Sequence, residues 1–419
     1  MKPMAKSIVF LMPVPFTHHH AKRYGLSLLE DKGIMPHVID LSYLVHGKVF
    51  SQVYEGDPLK KTMVHQVRFF SEFENLVKEL SQDAVFVDYL VGLSGIDIKY
   101  EKIFRILKKY HARYYVVSDA DLPNSFAQQG VSKQSFLLKY SSIFNIRWLG
   151  RYIGRIILRV LVKHEIFYSL PLKVFGTDSE NMKNYMRKYD NGRMVRVGIN
   201  SSDHSSYLEY VNNTTEYQRQ MEDTCVFLDE NAIYSYDYDI LKMKKIDSTR
   251  YLNAMNRLFQ DIEQKTGLEV VIAAHPLSHY EKYPDAFDGR RIIKGKTVEL
   301  VARSRLVVLH YSTAVSYAVL FNKPLLFVKT DDMVWAKRTN YIDAIAAELG
   351  VSAVNIDNKE QLEELTFHLK GFPVERFSKY KYKYLVTREV EDRFTWDIIA
   401  EELKKEAPYH PMQIIERET

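Results

Sequence analysis

The chain has 419 residues, 46% hydrophobic and 26% charged, a balance that excludes a disordered polymer and allows two domains of ordinary size. Its net charge of +5 fits an anionic substrate or an anionic membrane surface, and is too small and too dispersed for nucleic acid. A single cysteine, Cys225, excludes an intrachain disulfide and a cysteine-rich zinc site, and no apolar run reaches the ~20 residues of a membrane span.

Residues 7–12 read as a buried strand. The run is too short for a secretory leader, and Pro13 and Pro15 break it. His18, His19 and His20 follow, then a helix over 21–32 closed by Gly33, then a strand over 35–41. Strand, helix, glycine, strand is the opening of a doubly wound α/β domain, here without a G-x-G-x-x-G fingerprint. For the three histidines a solvated loop, a substrate-contacting loop and a metal site all stay open. Residues 64–80 have helical period, 84–89 and 113–119 read as strands, and 100–110 as a helix. Asp88 and Asp119 thus stand at strand ends, as catalytic acids or as caps of the next helices. Between 144 and 169, Arg147, Arg151, Arg155, Arg159 and Lys163 recur every four residues among apolar neighbours. On a helix this is a basic stripe that suits an anionic membrane surface, or the solvated edge of a buried helix. A strand over 172–177 closes the first domain, and the polar stretch after it reads as the connection.

In the second half, a strand over 224–229 runs into Asp229, Glu230 and Asn231, and a tyrosine-rich loop follows. A helix over 250–266 ends at Gly267. The apolar run 270–274 stops at His275-Pro276. A helix over 298–304 carries Glu299 in its first turn, where a carboxylate suits the helix dipole. The run 306–309 stops at His310, Tyr311, Ser312 and Thr313, before a helix from Ala314, and 324–328 is the next strand. Helices over 341–349, 359–369 and 396–405 and a strand over 354–356 complete the pattern. The expected domains are 1–188 (acceptor side), a connection over 189–222, 223–390 (nucleotide side), and a tail over 391–419 packing back on the first domain.

Short β-rich runs without alternation are strands buried on both faces of a parallel sheet, and ligands bind at the carboxyl edge of such sheets. Hydroxyls of Ser312 and Thr313, with free N–H groups at a helix start, make an anion site. His275 reaching the same edge can donate to, or protonate, a phosphate oxygen. His310 and Tyr311 are placed to flank a base or ribose. The plain alternative is a histidine that caps a loop and a Ser-Thr pair that caps a helix. Asp237-Tyr238-Asp239 has the spelling of a metal motif but sits in the tyrosine-rich loop.

The order of His275-Pro276 and Ser312-Thr313, with the helix and strand that follow, resembles the GT-B glycosyltransferases, and among them the bacterial CMP-sugar-dependent sialyltransferases and capsule enzymes. The resemblance is carried by residues 226–328 and is architectural over the first domain. It implies an α/β protein with two Rossmann-like domains facing across a cleft. It further implies a metal-independent transfer, with no cofactor beyond a CMP-sugar donor, of a nonulosonic acid or Kdo-type sugar to a surface glycan or lipid-linked acceptor. By the same resemblance His275, Pro276, Tyr311, Ser312, Thr313 and Glu299 bind the nucleotide, Glu299 at the ribose. Asp229 is first choice as base, then Glu230, then Asp119, although Asn231 stands where those families place a glycine. The expected location is cytoplasmic, peripheral at the inner membrane through 147–163. A similar His-Pro and Ser pattern occurs in teichoic-acid polymerases that use CDP-glycerol; UDP-sugar enzymes and epimerases share the fold, and the non-enzymatic alternative, a degenerate GT-B chain acting as a binding module, is disfavoured by the retained His275 and Ser312-Thr313.

Overall fold

The computed structural model describes residues 7–50, 63–94, 98–123, 157, 160, 162–166, 168–215, 220–235, 238, 240, 244–335, 339–367 and 373–406. Arg147, Arg151, Arg155, Arg159, Asp237 and Asp239 lie outside the described residues. The chain divides into two compact units. Unit 1 takes its described residues from Met1–Asp119, Val131–Ile199 and Arg393–Thr419, and unit 2 from Ala120–Gly130 and Asn200–Asp392.

Unit 1 holds a seven-stranded sheet of β1 (Ser7–Met12), β2 (Met35–Asp40), β3 (Val64–Gln66), β4 (Ala84–Asp88), β5 (Arg113–Val117), β6 (Lys173–Gly176) and β7 (Val195–Gly198). The order is β3-β2-β1-β4-β5-β6-β7, and every pairing is parallel. Unit 2 repeats the plan with β8 (Thr224–Leu228), β9 (Glu269–Ala274), β10 (Ile292–Lys294), β11 (Leu306–Leu309), β12 (Leu325–Lys329) and β13 (Ala353–Asn355). Its order is β10-β9-β8-β11-β12-β13, again all parallel. Each unit is thus Rossmann-like, and the fold is the two-unit α/β fold of the GT-B class.

The central strands form where β-branched and aromatic residues run without a break. Ile8, Val9, Phe10 and Leu11 of β1 are fully buried, as are Val226 and Phe227 of β8 and Val307, Val308 and Leu309 of β11. Each such side chain contributes about 1.5–3 kcal/mol when removed from water. Crossover helices cover both faces, as parallel sheets require.

Four expectations change. The helix expected over 21–32 is two helices, His18–Arg23 and Leu26–Asp31, broken at Gly25 with φ +57°. Residues 64–80 begin as edge strand β3 and turn helical only at Phe70–Leu80. The expected connection 189–222 carries β7, which completes the first sheet, and the helix Ser202–Asn213 of unit 2. The helix expected over 359–369 is only Lys359–Glu363. In the tail, the helix Thr395–Lys404 belongs to unit 1. There Trp396 Nε1 donates to the Arg23 carbonyl at 3.1 Å and its ring lies 5.3 Å from Phe10 and 6.0 Å from Tyr24. Lys173, on β6, holds Glu402 and Glu406 at 2.8 Å each.

Candidate functional site

In unit 2 the chain leaves β8 for β9 on one side and returns to β11 on the other. The carboxyl ends of β8 and β11 therefore bound the switch point where an open α/β sheet leaves a crevice. Leu228 pairs with both Ala273 and Leu309, so Asp229 follows β8 between the ends of β9 and β11.

Asp229 is 5% exposed, and both carboxylate oxygens are occupied. Oδ1 accepts from Asn231 N at 2.9 Å and from Tyr280 Oη at 3.1 Å; Oδ2 accepts from His275 N at 3.1 Å. Burial raises its pKa above the ordinary range, against the lowering effect of those donors. Asn231 takes φ +55°, which asparagine tolerates and which lets its N–H turn back onto Asp229. Asp40 accepts from Ser42 N and Asp88 from Leu90 N in the same manner, each at 2.8 Å, so the strand-end aspartate is first a turn-former. Asp229 differs in also gripping the neighbouring strand's end through His275 and Tyr280.

His275 opens a tight turn. Its carbonyl accepts from Ser278 N at 2.9 Å and Ser278 Oγ at 2.7 Å, and Lys294 of β10 donates to the Ser278 carbonyl. Pro276, exposed, sits in that turn. His275 Nδ1 accepts from Leu277 N at 3.1 Å. An imidazole nitrogen that accepts carries no proton, so in the neutral ring the proton is on Nε2, a donor at the strand end.

At the end of β11, Ser312 and Thr313 are half-buried, and Ser312 Oγ accepts from Ala314 N at 3.2 Å. Val315 N bonds the Ser312 carbonyl at 3.2 Å and Ser316 N the Thr313 carbonyl at 3.0 Å. The N–H groups of Ala314, Val315 and Ser316 are therefore used within the turn, which corrects the expectation of free donors at the start of the helix Val315–Leu320. Tyr311, half-buried, packs its ring 5.3 Å from Tyr341.

His310 is corrected as well. It is 0% exposed, its Nδ1 donates to the Val328 carbonyl at 2.6 Å, and Tyr251 Oη donates to its Nε2 at 2.9 Å. Both nitrogens serve the core, joining β11 to β12 and to the helix Ser248–Thr266. Tyr280 and Tyr251 are thus site-supporting residues that sequence reasoning missed. The signal for them was a tyrosine on the apolar face of a helix, and another five residues after a strand-end histidine.

Glu299 is directed elsewhere. Its carboxylate lies 3.7 Å from Arg303 and 3.9 Å from Lys296, and it lines a cavity of about 590 Å³ with Tyr210, Thr214 and Glu222. Glu230, beside Asp229, is half-buried. Lys329 pairs with Asp343 at 2.8 Å.

In unit 1, Asp119 pairs with Arg23 at 3.7 Å. His18 and His19 are exposed, whereas His20 stacks between Phe16 and Tyr24 at 5.6 and 5.8 Å and accepts from Thr17 N at 3.2 Å. Burial pushes the His20 pKa down to about 3, so it caps its helix as a neutral ring.

The sequence matches no family model and no curated protein. Among solved structures, the chain is similar to a Listeria monocytogenes protein assigned as a UDP-N-acetylglucosamine 2-epimerase: 13% identity, TM-score 0.50, 97% of this chain and 99% of that one. The likeness is one of fold. Acinetobacter baumannii MurG (9% identity, TM-score 0.47, 96% and 100% covered) and the wall teichoic acid polymerase TagF (12%, 0.47, 96% and 90%) are similar at a lower score.

Proposed function

We propose that the protein is a glycosyltransferase that holds a sugar nucleotide at the carboxyl edge of the unit 2 sheet. The observation that carries this reading is the fixed His275 at the end of β9: its N–H is held by Asp229 and its Nδ1 accepts from Leu277 N, which leaves Nε2 to carry the proton of the neutral ring. A donor so placed suits a phosphate that gains charge as it leaves. Ser312 and Thr313 add hydroxyls from the end of β11, across β8 from His275, with Pro276 and Tyr311 at the border.

The donor is a CMP-sugar, a reading supported by the resemblance of the His275-Pro276 and Ser312-Thr313 pair. The sugar is a nonulosonic acid or Kdo-type residue, and the acceptor a surface glycan met at a membrane. In the transfer, an acceptor hydroxyl oxygen bonds to the anomeric carbon, and the bond from that carbon to the phosphate oxygen breaks. The electron pair stays on the phosphate, stabilised by His275. The hydroxyl proton goes to the acidic pair after β8. Glu230 is the member an acceptor can reach; Asp229, nearly enclosed, holds His275 in place. No metal takes part, so turnover persists in a chelator. Glu299, which the resemblance puts at the ribose, pairs with Arg303 at 3.7 Å and Lys296 at 3.9 Å.

A thermal-shift screen of CMP, CDP, UDP and GDP tests the donor. A nucleotide at 100 times its Kd adds about 2.7 kcal/mol to native stability. Stabilisation by CMP above the others, with CMP release only from a CMP-sugar, supports the reading. Stabilisation by CDP with glycerol phosphate transfer, or by UDP alone, replaces the donor. His275→Ala should keep the fold and lose turnover; near-normal turnover sinks the mechanism.

A further inference from the structure

Three large aliphatic side chains stand exposed within ten positions of unit 1: Ile157 (52%), Val160 (49%) and Ile166 (51%). Val195 on edge strand β7 is a fourth, at 50%. Lys163 and His164 lie exposed among them. Arg193 Nη1 is 3.5 Å from Glu165 Oε1, and Asn191 Nδ2 donates to the same oxygen at 3.3 Å, so segment 163–166 and the loop before β7 form one surface. Between them is a cavity of about 620 Å³. Lys108 Nζ donates to the carbonyls of Glu165 and Ile166 and fixes the segment to the helix Glu101–Lys109. That helix and Glu180–Tyr189 both end here, with Lys108, Lys109, Arg187 and Lys188 in their last turns.

The surface has a definite place in the fold. Segment 163–166 leads toward β6 and the 190–194 loop into β7, so it lies at the amino edge of the sheet, opposite the edge that carries Asp88 and Asp119. Isolated aliphatic residues beside cations, with no exposed aromatic anchor among the described residues of the face, fit a headgroup region better than a protein hot spot.

We propose that unit 1 docks on an anionic lipid bilayer through this face, with Ile157, Val160 and Ile166 at the headgroup–acyl boundary and Lys163 and Arg193 against lipid phosphates. The inference names the surface behind the membrane-bound acceptor in the proposed function, yet stands without it: vesicle binding is read without nucleotide, and nucleotide binding without vesicles.

The test is cosedimentation of the full chain with vesicles of phosphatidylcholine and of equal parts phosphatidylcholine and phosphatidylglycerol, at low and high salt. The chain should sediment with the anionic vesicles only and be released by salt, since lipid charge is screened. Ile157→Asp with Val160→Asp, and separately Lys163→Glu with Arg193→Glu, should each weaken partition at least about tenfold. Both pairs should melt like the wild type; if the apolar pair does not, the charge-reversal pair decides, because the Arg193 side chain is 82% exposed. Equal sedimentation with both vesicle types, none with either, or variants that bind like the wild type overturns the docking face.

Discussion

Asp229→Asn removes one charge and almost no volume, and the structure predicts a defined local failure. The carboxylate accepts at both oxygens: from Asn231 N and Tyr280 Oη on one, from His275 N on the other. A carboxamide keeps one oxygen. Its NH2 must face either the His275 N–H or the Asn231 and Tyr280 donors, and donor against donor is repulsive. A hydrogen bond to a charged group is worth about 1.5–3 kcal/mol, while the asparagine also relieves the cost of a buried charge, so a net loss of about 1–3 kcal/mol follows. Hydrogen exchange at 275–280 reads it directly, since about 1.4 kcal/mol of lost local stability speeds opening tenfold. The same variant should lose nucleotide-induced stabilisation, because the His275 turn no longer stays placed. Glu230→Gln, by contrast, should keep exchange and nucleotide binding near normal and lose turnover. Unchanged exchange at 275–280 in Asp229→Asn would show that Asp229 is not what holds His275.

Other outcomes follow from the same structure. Asp88 is buried and its pKa is pushed up to about 7, mainly by desolvation. The folded chain keeps a proton there that the unfolded chain releases near pH 4, so its share of stability is full in acid and falls as pH rises toward 7. Asp88→Asn should therefore gain stability relative to wild type between pH 5 and pH 8 in urea unfolding of unit 1; a constant difference refutes the assignment. Gly25→Ala should destabilise unit 1 by about 1–2 kcal/mol or more, because an L-residue resists φ +57° and its Cβ would meet Trp396 Cβ at 3.0 Å. Lys323→Met should cost about 1–3 kcal/mol by leaving the Ala302 and Ser304 carbonyls, now 2.6 and 2.9 Å from Nζ, without their donor. A melt within error of wild type in either variant removes the argument for it.

What the sequence disclosed follows from burial. Of the thirteen strands among the described residues, ten are visible as apolar runs, because nine of them lie inside a sheet and the tenth, β13, keeps an apolar pair. The three missed, β3, β7 and β10, are all sheet edges. An edge strand pairs on one side only, so Val195-Arg196-Val197 can alternate charge with aliphatic and still close the sheet. The Asn200–Ser206 tract misled for a different reason: serines and aspartate at a helix start look like a loop, yet Ser201 Oγ accepts from His204 N at 3.1 Å as an N-cap. At the site, strand ends placed Asp229, His275 and Ser312 correctly at one edge. Side-chain direction was not legible, so His310 was read as ligand-facing although it points into the core.

The return of Trp396 to Arg23 spans 373 positions, and it has a consequence for biosynthesis. Unit 2 is nearly continuous in sequence, from Asn200 to Asp392, and can close as soon as it leaves the ribosome. Unit 1 must wait for its last helix. About 200 residues separate Ile199 from that helix, which at 5–20 residues per second is roughly 10–40 s. During that interval Phe10 and Tyr24 lack the indole that covers them, and β6 lacks the carboxylates that neutralise Lys173. The nascent amino-terminal half is therefore the species most in need of a chaperone, and its rate of completion is set by translation rather than by its own chain.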